Sequence, residues 1–205
     1  MKTEMKLKTL LLAIGLSLIV AIASGAAPCP PEGSSKNPAH QAMDRLKNRT
    51  TAPAKIDKSV TLASLLAPGA DANRFSSSQG ATITGYIALV KPGGPETCHC
   101  GKGGLANEDT HIVVVSDPKY IKDGTHHLIV EVTPQSRVLR VLAKIPGTPI
   151  LKKQLKPGTQ VRITGWLFFD VMHVQNAFNT NPHGKALWRA TCWEIHSVTK
   201  IEVIK

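Results

Sequence analysis

Three histidine–carboxylate pairs carry most of the chemistry available to this chain. Asp109 and His111 stand two residues apart, as do Glu194 and His196, and Asp170 precedes His173 by three. Residues two apart in a strand point to the same face, so the first two pairs each present an acid and an imidazole together. Neutral imidazole with carboxylate is the ligand mix of a zinc site, where an open coordination position lets the ion activate water. Asp109, His111, Asp170, His173, Glu194 and His196 are therefore the candidate metal ligands, with zinc as the candidate cofactor. The plainer alternative is that each carboxylate merely orients its histidine near a strand end.

The four cysteines are Cys29, Cys98, Cys100 and Cys192. Cys98-His99-Cys100 could bind a soft ion such as Cu(I), but in an oxidising compartment an even cysteine count favours disulfides. Cys98 and Cys100 fall in a glycine-rich loop and Cys192 in an expected strand. The expectation is a bridge pinning that loop to the strand, with Cys29 tying down the N-terminal arm. A bond between Cys98 and Cys100 would close a strained ring. Gly101-Lys102-Gly103-Gly104 lacks the Gly-Lys-Ser/Thr ending of a phosphate-binding loop. The sequence also holds no Gly-x-Ser-x-Gly elbow and no His-Glu-x-x-His helix.

A third set of side chains fits ligand binding. Trp166, Phe168 and Trp188 are interleaved with Arg162, Lys185 and Arg189, and stacking rings beside cations are how single strands are held without sequence preference. The alternation of the same segment also permits these rings to be packing residues. The chain's formal net charge of +11 favours anionic partners, nucleic acid or acidic glycan.

The elements that must position these residues are mostly strands. Residues 27–79 form an arm, rich at first in proline, glycine and serine, with one short helix after Asn37-Pro38 and another over Leu62–Leu66. From Gly80 the pattern turns to β: Ala81–Val90, His111–Val115, Leu128–Val132, Val161–Asp170 and Ala190–Ile204. In the first strand Ile83, Ile87 and Leu89 are expected on one face, and Gly85 marks a bend or bulge. Residues 135–158 read as irregular or partly helical. Five strands with an insertion between the third and fourth predict a mainly β domain over 80–205. Its form would be a small closed barrel with Ile83, Val113, Val130, Ile163 and Ile201 in a common interior.

Ahead of the arm stands a leader. Lys2, Lys6 and Lys8 precede an apolar run from Leu10 to Ala23, and Ser24-Gly25-Ala26 offers the small residues a signal peptidase reads. The run is shorter than the ~20 residues a membrane-spanning helix requires. Residues 1–26 are thus expected to be a cleaved signal peptide, sending the protein to the periplasm or outside the cell with no stable membrane insertion afterwards.

The string Leu155-Lys156-Pro157-Gly158-Thr159-Gln160-Val161-Arg162-Ile163-Thr164-Gly165-Trp166 resembles the approach to the fourth strand of an OB-fold, and Gly85 sits as in its coiled first strand. Together with Glu108-Asp109-Thr110-His111 and Trp193-Glu194-Ile195-His196, it resembles a family of uncharacterised exported bacterial proteins with a single OB-fold-like domain. The resemblance implies a fold and a ligand surface, not a reaction. The leading expectation is an exported OB-like module for an anionic ligand. The alternatives are a metal-dependent hydrolase, phosphodiesterase-like, using the His/carboxylate set, and a structural envelope protein docking through its arm.

Overall fold

The computed structural model of the protein describes residues 29–135 and 145–204, so the expected leader lies outside the described residues. The chain is mainly β. Strands β1 (Gly80–Pro92), β2 (Thr110–Val115), β3 (Leu128–Val132), β4 (Gln160–Phe169) and β5 (Trp193–Val203) close into a barrel in the order β1-β2-β3-β5-β4. All neighbours are antiparallel except β3 and β5, which run parallel. Closure through β1 and β4 leaves no unpaired barrel edge.

Inside the barrel, Ile83 and Ile87 of β1, Ile112 and Val114 of β2, Val130 of β3, Ile163 and Leu167 of β4 and Ile195 of β5 form one apolar core. Ile83, Val130 and Ile163 meet there as expected, and Ile201 packs against it. Val113 does not. It faces the other way, into a second apolar cluster with Ala88, Val115 and Ile129. β2 is covered on both faces, and a strand buried on both sides shows no alternation from which its inner face can be read. Leu89 is another correction. The β1–β2 register shifts between Ile87 and Leu89, a bulge that reverses the phase, so Val90 enters the core and Leu89 is exposed. Gly85 is instead a site of close approach, where an added Cβ would lie 2.5 Å from the Leu62 side chain.

Among the described residues, helices α1 (Pro38–Lys47), α2 (Leu62–Leu66) and α3 (Thr148–Gln154) flank the barrel. In α1 the Asn37 side chain accepts the Ala39 N–H at 2.8 Å, with Pro38 in the first turn. In α2 Thr61 and Ser64 cap each other reciprocally, and Leu62 and Leu65 enter the barrel core. The arm is therefore packed onto the barrel. Arg49 fastens it: its guanidinium donates to Leu167 O at 3.0 Å and to His196 O at 3.1 Å, and lies over the Trp166 ring. The Ser197 hydroxyl donates back to Arg49 O.

Candidate metal centre

Strand register alone assembles the middle of the site. His111 of β2 lies opposite Glu131 of β3, and Glu131 lies opposite His196 of β5. The three side chains form a row across adjacent strands on the outer face of the sheet, as cross-strand neighbours do. Glu194 shares that face one pair along β5, with Phe168 of β4 opposite it. Asp109 stands just before β2, where its carbonyl accepts the Gly93 N–H at 2.8 Å.

The arm and the 93–109 loop close over this row. A 3-10 turn at Thr97–His99 ends in Cys100, whose φ of 58° turns the chain back. The Asn48 amide, at the end of α1, donates to Cys98 O at 2.8 Å and to Pro31 O at 2.9 Å. Ser34 N–H donates to Thr97 O at 2.9 Å. A disulfide joins Cys29 to Cys100 across 71 residues. The arm is thus tied down by Cys29, but the bridge from loop to strand does not form: Cys98 and Cys192 are buried free thiols. Cys98 faces the histidine–carboxylate cluster, and Cys192 meets the Thr180 hydroxyl at 3.5 Å, so each is buried beside a different partner.

What this covered face contains is unusual for a protein interior. Asp109, Glu131, Glu194 and His196 are all buried. His111 Nε2 lies 3.0 Å from Glu131 Oε1, and His196 Nδ1 lies 3.3 Å from Glu131 Oε2 and 3.4 Å from Glu194 Oε2. His196 Nε2 is 3.9 Å from Asp109 Oδ2, and His99 Nε2 is 3.6 Å from Asp109 Oδ1. Yet among the described residues neither nitrogen of His111, nor Glu131 Oε2, nor His196 Nε2 makes an aligned hydrogen bond. Buried polar atoms ordinarily find such partners. With zinc–ligand bonds of about 2.05 Å, neighbouring ligands of a tetrahedral ion sit about 3.3 Å apart. The spacing here, 3.0–3.9 Å, fits such an arrangement as well as it fits buried His–carboxylate pairs.

Among the described residues three overlapping triads bring their ligand atoms within 4.8 Å: Asp109, Glu131 and His196; Glu96, His111 and Glu131; Cys98, His99 and Asp109. Burial holds His196 well below the ordinary imidazole range and lowers His111 too, which keeps both rings neutral. Burial, and then the charges of Glu194 and Asp109, push Glu131 well above the usual carboxylate range. Burial also opposes the charge on Lys47, but Glu96, Glu131, Asp170 and Glu194 outweigh it and raise the ammonium well above its ordinary value. Lys47 binds Glu96 at 2.6 Å, and against the cost of burial that ammonium lowers the Glu96 carboxyl to about 2. An acid-rich, buried cluster with neutral imidazoles attracts cations.

Of the six ligands expected from sequence, Asp109, His111 and His196 belong to these triads. Glu194 touches His196 but is held by Arg189 at 2.8 Å. Asp170 is buried at 4.0 Å from Arg189, and His173 is 3.7 Å from Asp170 on a half-buried turn. His173 therefore sits beyond Asp170 and Arg189 and joins no triad among the described residues. Glu131, Glu96, Cys98 and His99 complete the triads. Glu131 had a signal in sequence: it is the lone charge in Leu128-Ile129-Val130-Glu131-Val132. Glu96 had none, because only the folded loop brings it over β2.

The stacking set fares differently. Phe168 is buried against His196 and Lys47, Arg189 is buried against Glu194, and Trp166 lies beneath Arg49 with its indole N–H on Thr51 O at 2.7 Å. Trp188 is half-buried between Arg189 and His173, and only Arg162 and Lys185 stand exposed.

Compared with known proteins, the chain matches no family model, no curated protein and no solved structure. Its site is therefore argued from its own geometry.

Proposed function

We propose that this chain is an exported, OB-like barrel protein whose covered sheet face binds a divalent transition-metal ion of the zinc class through Asp109, Glu131 and His196. The observation that supports this most is the convergence of buried nitrogen and oxygen atoms at 3.0–3.9 Å, among which His111 Nε2, Glu131 Oε2 and His196 Nε2 make no aligned hydrogen bond. Nitrogen and carboxylate ligands in this mix favour zinc over calcium or magnesium, which prefer oxygen alone. The strand order and the first-strand bulge support the OB-like reading. Export is supported by the leader in the sequence and by the Cys29–Cys100 disulfide, a bond that persists in oxidising compartments. No helix among the described residues is long and apolar enough to cross a membrane.

An anionic-ligand module of the single-strand-binding kind draws less support, because the chain's own arm covers two of the three rings that would stack bases, Trp166 and Phe168. Elemental analysis of the purified mature protein, before and after dialysis against micromolar zinc, tests the metal reading. At least one equivalent is expected in the wild type and a loss of that equivalent in His196→Ala. A wild-type protein that binds no metal under these conditions overturns it.

A further inference from the structure

Glu131 faces two imidazoles, not one. Its Oε1 lies 3.0 Å from His111 Nε2 and its Oε2 lies 3.3 Å from His196 Nδ1. The two histidines come from the strands on either side of β3, so the carboxylate sits between them. A carboxylate that offers one oxygen to each of two nitrogen ligands has the layout of a bridge between two ions. On the His111 side Glu96 completes a triad. Lys47 occupies Glu96 Oε2, which leaves Oε1 to serve as a ligand.

Charge points the same way. Among the described residues Glu96, Asp109, Glu131, Asp170 and Glu194 crowd this region, with Asp44 close by; Lys47 pairs with Glu96, and Arg189 with Asp170 and Glu194.

We infer that the sheet face holds two ions bridged by Glu131: an inner one at Asp109, Glu131 and His196, and an outer one at Glu96, His111 and Glu131. The inference rests on the proposed metal centre and extends it. The two positions differ in access. Asp109, Glu131 and His196 are shut in, whereas the Glu96 side chain keeps 28% of its surface and that of His111 12%. Glu96 also lines a cleft of about 400 Å³ together with Lys47, Asp170, His173, His40 and Met43. The outer ion keeps an open coordination position toward that cleft, beside the Lys47 ammonium. The ligand that fits there is a small oxyanion or the phosphoryl group of a larger molecule.

The test uses the mature protein with its disulfide intact, stripped of metal and titrated with Co²⁺ while bound ion is counted by elemental analysis. Two Co²⁺ per chain are expected. One is expected in His111→Ala and one in Glu96→Gln, the latter a rim substitution that leaves the barrel core untouched. Inorganic phosphate should shift the visible Co²⁺ bands of the wild type and leave those of His111→Ala unmoved. One ion per chain in wild type and both variants alike overturns the second site while sparing the first, and no ion at all overturns the proposed metal centre itself. Two ions that survive both substitutions overturn the outer ligand assignment. A two-ion protein whose spectrum phosphate does not move overturns the open position.

Discussion

At the scale of single residues, the site is defined by what each buried charge leans on. Arg189 is fully buried, donates to Thr191 O at 2.7 Å, and holds Glu194 at 2.8 Å. Truncating one partner of a buried ion pair strands the other, at a cost of about 3–5 kcal/mol. Arg189→Met should lower stability by that order in urea denaturation, and adding Glu194→Gln should restore a large part of it; equal losses in the single and double variants would dissociate the two residues. Asp109, His111 and His196 were legible in the sequence because alternation places acid and imidazole together on one face. Asp170 and His173 fitted the same chemistry but follow β4 in a turn, where strand alternation no longer governs direction. Glu96 was out of reach, since its position depends on a loop whose path is set by Cys100 and Asn48, and His99 was legible only within the Cys98-His99-Cys100 set.

At the scale of elements, alternation located every strand, and β3 and α2 fall where the sequence placed them. β5 begins at Trp193, later than Ala190, because Arg189 and Thr191 turn inward to polar partners before the ladder starts. The bulge in β1 and the doubly covered β2 defeated the face assignments of Leu89 and Val113, since both break the rule that every second residue faces the core. The approach of β1's end to β2 yields a prediction. A Cβ on Gly93 would lie 3.0 Å from His111 Nε2, close enough to push the ring aside. Gly93→Ala should weaken outer-site Co²⁺ binding several-fold with little change in melting temperature; unchanged affinity would show that the ring tolerates the push. Arg49 works on a neighbouring pair of strands, bonding carbonyls on both β4 and β5. Hydrogen bonds from charged donors contribute about 1.5–3 kcal/mol each, so Arg49→Ala should cost about 3 kcal/mol or more, read from the chemical-denaturation midpoint.

At the scale of the whole molecule, an arm wraps a closed barrel and one covalent link secures the wrapping. The disulfide closes a loop of sequence separation 71, for which the chain-entropy relation gives about 4 kcal/mol of stabilisation. Cys29→Ser should lower the unfolding free energy by up to that amount and, because Cys100 follows directly on Cys98 and His99, should also loosen the loop over the centre. Faster loss of bound metal to a chelator in Cys29→Ser than in wild type is the expected readout; identical release rates would show that the α1 contacts alone hold the cover. The fold class was readable from five β segments, but the arm's role was not. Its helices are short and its apolar residues sparse, and only packing shows that Leu62 and Leu65 complete the core while Lys47 and Asn48 seal the outer face.

The position of Cys29 sets an order of events. Cys29 precedes Cys100 by 71 residues, so its thiol stays unpaired until the 93–109 loop has been made and brought against the arm. Until that partner arrives the cover over Glu131 lacks its covalent clasp, and under the proposed function an ion loaded before the bond forms exchanges more readily than one loaded after it.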